Sequence, residues 1–512
     1  MPHEFFVSLV RPPIVSTKRA FNNEATPCIG FAYISSYLLS KGYEVQIVDG
    51  IAEGLNRFWN LAQFPGYHCQ GLTIDEIVER IDPRARVIGF SAMFSGEWPI
   101  TRAIIKAARR RFPDALLVAG GEHITALTEF SLRDCPELDA CVRGEGEQVM
   151  YEICEAYRAG KDVAGVPGAA RLDAEGKLVE TAPSRVREID DLPWPNWPEK
   201  YMETFWEAGK SYGVQSARDM PIIASRGCPY QCTFCSSPQM WTTRYILRDV
   251  EDLIAEIKHY VACYDITALQ FYDLTAITKK KWTLEFCRRL IEEKLDYLKW
   301  SLPSGTRSEA LDVDTLRALK RTNCNYLVYA PESGSPDTLV KIKKRIDLSK
   351  LTNSVLEAKR QGIVVRTNLI IGFPHETHKH VFETIRYGLY LAWKGADEVT
   401  INIFSPYPGT EIFRELVAQG RISLSDDYFL ALTSLNSDYS STNPLTVNPH
   451  MGARELAFYR LGFMLTNYIV GYLRYPSRIW RTVRNIIKTD SVSATVFEHR
   501  VKDALRRAGA RG

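Results

Sequence analysis

The sequence predicts an α/β protein with two parallel sheets in series and a helical region after them. Three observations carry this. Apolar runs of strand length alternate with amphipathic stretches of helix length, first over Phe5–Ala119 and again over Pro221–Phe404, the pattern of strand–helix–strand units. Between the two series, Pro193-Trp194-Pro195-Asn196-Trp197-Pro198 crowds three prolines together, which removes donors and forces extended backbone. Beyond about residue 426 the alternation gives way to a basic, aromatic-rich stretch.

In the first series Phe5–Val10 reads as a strand, Ile29–Lys41 as a helix and Val45–Val48 as the next strand. Val87–Ser91, the helix Ile100–Phe112 and the strand Leu116–Ala119 follow. Helices on both faces of such a sheet leave the carboxyl ends of the strands as the place for a ligand. Asp49-Gly50, Ser91-Ala92-Met93, Gly120-Gly121-Glu122-His123 and Gly144-Glu145-Gly146-Glu147 fall at those ends. Glycines there let backbone approach a ligand, although each also reads as an ordinary turn. The proline segment reads as a linker laid over a surface and anchored by its tryptophans. In the second series the strands are Ile222–Ser225, Ala268–Tyr272, Trp300–Pro303, Tyr326–Ala330, Val364–Ile371 and Glu398–Phe404, with helices such as Val250–Tyr260 and Leu284–Lys294 between them. This predicts a partial or full α/β barrel, with its chemistry at the carboxyl ends of the strands.

The chain has 512 residues, 64 basic and 61 acidic side chains, a formal charge of +3, 45% hydrophobic and 24% charged residues. Such values exclude disordered, collagenous and coiled-coil classes. The length allows about three domains at ~150 residues each. So small a net charge gives no general nucleic-acid signal. No uncharged apolar run of about 18 residues predicts a membrane-spanning helix, and the first residues lack the basic region of a secretion signal. Eleven cysteines are spread along the chain, unlike the dense pairing of small secreted domains, so a cytoplasmic setting is expected.

Three of those cysteines form one loop, Cys228-Pro-Tyr-Gln-Cys232-Thr-Phe-Cys235, directly after a predicted strand. Structural zinc sites use four ligands, commonly as two pairs, and no second pair lies nearby. Four-iron clusters take four thiolates, so a loop of three leaves one iron open to a small molecule.

The loop, with Phe234 before its last cysteine, resembles the motif of the radical S-adenosylmethionine (SAM) family. Phe271-Tyr-Asp273, Ala330-Pro-Glu-Ser-Gly-Ser335, Ile370-Ile-Gly-Phe-Pro-His-Glu376 and Phe404-Ser-Pro-Tyr-Pro-Gly-Thr410 fit the family in order. Arg11-Pro-Pro13, Val48-Asp-Gly50, Ala119-Gly-Gly-Glu-His123 and Arg143-Gly-Glu-Gly-Glu147 resemble the flavodoxin/Rossmann-like cobalamin-binding domain of the cobalamin-dependent class. The resemblance spans about residues 5–420. It implies a 4Fe-4S cluster on Cys228, Cys232 and Cys235, and SAM chelated at the open iron and cleaved to a 5′-deoxyadenosyl radical. It further implies SAM contacts from Phe234, Asp273, Arg307, Glu332 and Arg366. Cobalamin contacts are expected from Asp49, Ser91, Gly120, Gly121, His123, Gly144 and Glu145. Two departures stand out. Asp49 is followed by Gly50-Ile-Ala-Glu53 without the histidine that ligates cobalt in methyltransferases with Asp-x-His-x-x-Gly, and His123 reads as structural or tail-contacting. Tyr272-Asp273-Leu274-Thr275 also lacks the paired acidic residues that many relatives carry.

From Glu455 to Gly512 the tail is strongly basic, and Leu456–Thr489 contains no Asp or Glu. Pro476 divides this stretch into two helices. Interleaved arginines and aromatics suit a membrane surface better than nucleic acid, or a helix packed under the barrel.

The resulting reading is a cobalamin-binding domain over 1–185, a Pro/Trp-rich linker over 186–215, a radical SAM barrel over 216–425 and a basic aromatic helical region over 426–512. The expected function is methylation of an unactivated carbon on a small-molecule or lipid-like substrate, because such a carbon is not nucleophilic. Electrons would come from a reductant such as flavodoxin or ferredoxin, and 455–488 would touch the inner membrane face. Radical oxidation or ring closure, as in the magnesium-protoporphyrin ester cyclase family, and a non-catalytic metal scaffold are the alternatives. A transfer-RNA methylthiolating enzyme would carry three more cluster cysteines and a terminal β-barrel. The contexts of Cys28, Cys69 and Cys135 and the helical tail do not match it, so no nucleic-acid partner is expected.

Overall fold

Seven strands form the first sheet, in the order Leu178–Glu180, Ala169–Leu172, Ala140–Val142, Leu116–Gly120, Ala85–Ser91, Phe6–Arg11 and Glu44–Asp49. The computed structural model describes residues 5–18, 25–210, 217–307, 311–433, 445–487, 498 and 501. The five strands from Ala140–Val142 to Glu44–Asp49 run parallel, and the two at the other edge are antiparallel. Phe6–Arg11 pairs with Glu44–Asp49 on one side and Ala85–Ser91 on the other, so the strand order reverses there and opens a crevice at the carboxyl ends. Helices Ile29–Ser40 and Gly146–Arg158 pack together on one face, and Ile74–Arg80 and Trp98–Arg111 on the other. Each face therefore has its own apolar core.

The second sheet has six parallel strands in chain order: Asp219–Ile222, Ala268–Phe271, Lys299–Thr306, Cys324–Glu332, Val364–Ile371 and Glu398–Ile403. Its first and last strands are not paired with each other, so the barrel is incomplete. The predicted strand Ile222–Ser225 is divided. Asp219–Ile222 stays in the sheet, while Ser225–Arg226 turns away to pair antiparallel with Ile246–Leu247. A three-stranded antiparallel sheet, Ile14–Thr17, Tyr67–Gln70 and Phe58–Asn60, was not expected from the sequence.

The proline segment joins the two sheets as a strap. Trp197 is buried, the Trp194 indole donates to Asp252 (3.0 Å), and the Tyr201 hydroxyl donates to Asp49 (2.6 Å). After the barrel, helix Asp426–Leu432 is held by a two-pronged bond from Arg102 to Asp426 (2.9 and 2.7 Å). Helices Ala453–Arg474 and Ser477–Ile487 lie on either side of Tyr475-Pro476, as the proline predicts.

Three of the tail's arginines turn inward, contrary to a membrane role for all of them. Arg460 is buried. Arg478 donates to the carbonyls of Gly395 (2.7 Å) and Ala396 (2.8 Å), and Arg481 pairs with Asp397 (3.1 Å). The reason is local: helix His378–Lys394 leaves open carbonyls at its end, and Asp397 is a buried carboxylate that needs cations. Lys488 lies outside the described residues.

Candidate active site

The three-cysteine loop starts where the Ser225–Arg226 ribbon leaves the barrel. Gly227 has φ +86°, and a Cβ there would lie 2.1 Å from the Arg244 carbonyl oxygen, so only glycine passes this point. The loop is then braced from three directions. The Thr233 N–H donates to Ile342 O (3.1 Å), the Ile412 N–H to Thr233 O (3.1 Å), and the Cys235 N–H to Cys232 O (3.1 Å). Among the described residues no three His, Cys, Asp or Glu side chains converge where one metal ion would sit. Three thiols on one braced loop would supply three of the four ligands of a four-iron cluster. Burial raises the Cys232 thiol, and Lys344 and Arg307 act in the opposite direction. Those two cations would balance the negative charge of a thiolate-bound cluster.

Around this loop the structure gathers most of the residues read as SAM contacts. Glu332 ends its strand in the left-handed region, at φ +67°, a strained conformation for a residue with a side chain. It pairs with Lys344 (2.9 Å), both side chains being nearly buried. Arg307 lies 3.5 Å from the centroid of the Tyr230 ring within the loop and donates to the Arg345 carbonyl (2.8 Å). Phe234 meets Phe373 edge-on at 5.7 Å. Two others stand apart. Asp273 is buried and accepts from the Ala224 N–H (3.1 Å) and the Ser225 hydroxyl (2.5 Å), so it latches the base of the loop. Arg366 is on the same strand face as Ile370, which borders the cavity described next, but four residues back, about 13 Å along the strand. Lys344 was missed: it sits in the charge run Lys341-Ile-Lys-Lys-Arg345, which reads as solvated surface.

The carboxyl ends of the two sheets face each other across a cavity of about 640 Å³. Phe234, Cys235 and Ser236 line one side; Met93–Glu97 and Glu122 line the other; Asn402, Tyr407 and Leu432 complete the wall. None of the seven residues assigned to cobalamin from the sequence is on this wall. Asp49 is buried, accepting from the Ile51 and Ala52 N–H groups (2.8 and 3.1 Å), Arg11 (3.1 Å) and Tyr201. Ser91 ends its strand two residues before the wall, and Gly120 and Gly121 precede Glu122. A Cβ on Gly121 would meet Ala92 O at 2.8 Å, and one on Gly144 would meet Ser184 O at 2.3 Å. Protein backbone thus accounts for both glycines. His123 is buried, stacks on Trp98 at 4.7 Å and bonds Ser95 through Nδ1 (2.9 Å). Burial holds its pKa down at about 3, so the ring is neutral. Glu145 is buried and engaged by Arg226 (3.0 Å), Arg185 (3.5 Å) and the Val186 N–H.

The side chains that do reach the cavity come one to six residues later in the same loops. Glu97 is the most distinctive. Desolvation raises its carboxyl to about 8 against the opposing pull of Arg11, which favours its protonated form. Glu122 is also raised by burial, and accepts from the Ser236 hydroxyl beside Cys235.

An incomplete α/β barrel with a three-thiol loop after its first strand, facing the carboxyl ends of a doubly wound sheet, defines a two-domain enzyme class. Residues 222–388 match the family model of the radical SAM superfamily, and residues 23–154 that of the B12 binding domain. The chain thus carries a B12 binding domain followed by a radical SAM domain, the pairing found in cobalamin-dependent radical SAM enzymes, which work with a 4Fe-4S cluster, SAM and cobalamin. It is 29% identical over 471 residues to an uncharacterized methyltransferase of Pyrococcus horikoshii, covering 91% of this chain and 92% of that one. It is 27% identical over 432 residues to the cytidylyl-2-hydroxyethylphosphonate methyltransferase of Streptomyces wedmorensis, covering 78% and 80%. In fold it is similar to the radical SAM methyltransferase TsrM of Kitasatospora setae, solved with cobalamin and a 4Fe-4S cluster bound. The TM-score is 0.63 at 17% identity, over 91% of this chain and 88% of that one.

Proposed function

We propose that this enzyme methylates an unactivated carbon of a small-molecule or lipid-like substrate held in the cavity between the two sheets. One observation carries the reading: the wall of a single cavity takes Cys235 from the cluster loop and Met93–Glu97 from the carboxyl ends of the first sheet. Bound together, the cluster and SAM supply a hydrogen-abstracting radical and the cobalamin supplies a methyl group. Cys228, Cys232 and Cys235 would hold three irons and leave the fourth to SAM. Glu332 and Lys344 would meet the ammonium and carboxylate of SAM, with Arg307 beside them and Phe234 packed along the adenosine. Ser91, Gly120 and Gly121 would shape the loops that hold the corrin, and Glu97 would present it a neutral hydrogen-bond donor.

The stoichiometry closes without a further oxidant. One C–H bond breaks and one C–C bond forms. Two SAM molecules are consumed, one giving methionine and 5′-deoxyadenosine and the other S-adenosylhomocysteine. Two electrons enter from a reductant such as flavodoxin or ferredoxin. The reading places the enzyme in the cytoplasm with its 455–488 segment at a membrane.

Anaerobically reconstituted protein with reductant and SAM is expected to form 5′-deoxyadenosine, and Cys232→Ala to form none. With trideuteromethyl-SAM and a cell extract, the label is expected in a carbon-methylated product. S-adenosylhomocysteine and 5′-deoxyadenosine should then accumulate in equal amounts. An unlabelled, dehydrogenated or ring-closed product formed with deoxyadenosine but without S-adenosylhomocysteine would instead establish radical oxidation or ring closure, and no SAM cleavage at all would leave a metal-binding scaffold.

A further inference from the structure

Helix Ala453–Arg474 is apolar on two opposite sides. Leu456, Phe463 and Gly471 are buried on one side, against helix His378–Lys394 and strand Glu398–Ile403. On the other, Phe458, Leu465, Ile469 and Leu473 are 71, 69, 57 and 75% exposed, and Leu461 is exposed as well. At 3.6 residues per turn these five fall within about 120° of arc, directly opposite the buried set. The next helix also exposes large apolar side chains, Trp480 and Ile487 being 78 and 73% exposed. The strip spreads sideways onto exposed Phe382 and Trp393, which reach it through Tyr459 and Arg474. Soluble chains rarely leave a continuous patch of this size open to water.

The charge around the strip is predominantly basic, and Glu383, next to Phe382, is approached by Lys379 (3.9 Å). Arg454, Arg474, Arg484, Lys379 and Arg386 are exposed on these helices, and no Asp or Glu occurs from Leu456 to Thr489. Glu455, at the helix start, is already engaged by His378 (2.7 Å) and Tyr459 (2.8 Å). A second copy laid on this face would set the basic rim against itself. Among the described residues no helix is long and apolar enough to cross a membrane.

We propose that this face is a peripheral docking surface for an anionic lipid bilayer. Phe458, Leu465, Leu473 and Trp480 enter the acyl boundary, and Arg454, Arg474 and Arg484 meet lipid phosphates. Apolar burial joined to attraction for anionic headgroups is how interfacial helices bind, and aromatic side chains favour that depth. The inference rests on the reading of 455–488 as a membrane contact and changes which side chains make it, since Arg460, Arg478 and Arg481 face the protein. Docking here would bring an apolar substrate to the enzyme in two dimensions.

The test is sedimentation of the full chain with vesicles of phosphatidylcholine, alone and mixed with phosphatidylglycerol. Binding is expected only to the mixed vesicles and should weaken with salt. Leu465→Glu with Leu473→Glu should weaken it about tenfold or more, and Arg474→Glu with Arg484→Glu by a similar factor. Cleavage of SAM by both double variants reports that the fold is intact; if the leucine pair fails that control, the arginine pair decides. Absence of binding to phosphatidylglycerol vesicles, or binding indifferent to the substitutions, would overturn the inference. So would a dimer in solution that the leucine pair dissolves. Any of these outcomes leaves SAM cleavage intact, so this inference and the methylation reading fail separately.

Discussion

Two buried ionic clusters fasten the barrel, one at each end, and they are built differently. At the carboxyl ends of the strands Arg226 reaches Glu145 (3.0 Å) and Glu147 (2.7 Å), and Arg185 approaches Glu145. Two cations meet two carboxylates, and none of the four side chains is more than 9% exposed. At the amino ends Asp397, fully buried, is shared by Lys359, Arg478 (3.6 Å) and Arg481 (3.1 Å). The first cluster ties the first sheet to a residue two positions before Cys228; the second ties the barrel to its tail. Barrels carry chemistry at the carboxyl ends and stability at the amino ends. A paired, dry cluster beside the cysteine loop therefore fixes how the two cofactor halves face each other. The cation-rich cluster behind the barrel has only to hold a helix in place.

Breaking the front cluster should have the largest effect. Arg226→Met leaves Glu145 and Glu147 buried without their principal partner, which should cost about 3–5 kcal/mol in denaturant unfolding. Adding Glu145→Gln and Glu147→Gln removes the stranded charges and should return most of that stability. The triple variant should still bind cobalamin and cleave SAM, yet yield more 5′-deoxyadenosine per methylated product than wild type. A triple variant coupled as tightly as wild type would reduce the cluster to an ordinary staple.

The two ends should also differ in the sign of their pH dependence. Asp273, at the front, has only neutral donors, and burial raises its carboxyl to about 6 despite the bond from Ser225. Its protonated form is the favoured one in the fold. That contribution is complete below the ordinary value of 3.8 and is lost as the pH rises through about 6, each unit being about 1.4 kcal/mol. Asp397, at the back, is raised by burial but lowered further by Lys359 and Arg478. Its contribution is present above the ordinary aspartate value and is lost as the pH falls below it. Thermal unfolding across pH should therefore show the penalty of Asp273→Asn shrinking from pH 4 to 7, and that of Asp397→Asn shrinking only below about pH 4.

The front end was far more legible in sequence than the back. Glycine and cysteine constrain backbone and chemistry locally, so the spacing of Cys228, Cys232 and Cys235 located the loop before any fold was known. Val364–Ile371 was readable to the residue because β-branched and apolar residues bound it at both ends and its burial alternates with the period of a strand. Short strands such as Ala140–Val142 carry too little pattern to separate from loops. Helix Ile74–Arg80 was passed over although Thr73 and Glu76 form a capping box, a signal present in the sequence. The residues facing the cavity were missed for another reason. Glycines at strand ends mark where the chain turns, whereas Glu97 and Glu122 touch the cavity because of loop paths that only the tertiary structure sets. At the back, basic residues with no nearby acid in sequence looked like membrane contacts, since Asp397 comes from a distant part of the chain.

The smallest effect expected is also the sharpest check on that division. Arg478 donates to the carbonyls of Gly395 and Ala396 and contributes one of three cations around Asp397. In Arg478→Ala the carboxylate keeps Lys359 and Arg481, so no charge is stranded, and the loss is that of hydrogen bonds, about 1–2 kcal/mol. Hydrogen exchange should rise in helix Ser477–Ile487, which Arg478 pins to the end of helix His378–Lys394, and should stay unchanged in the cysteine loop. Formation of 5′-deoxyadenosine from SAM should equal that of wild type, because nothing in the back cluster reaches the cavity wall. If Arg478→Ala instead altered that activity, the two ends would be coupled through the barrel strands and could no longer be assigned separate tasks.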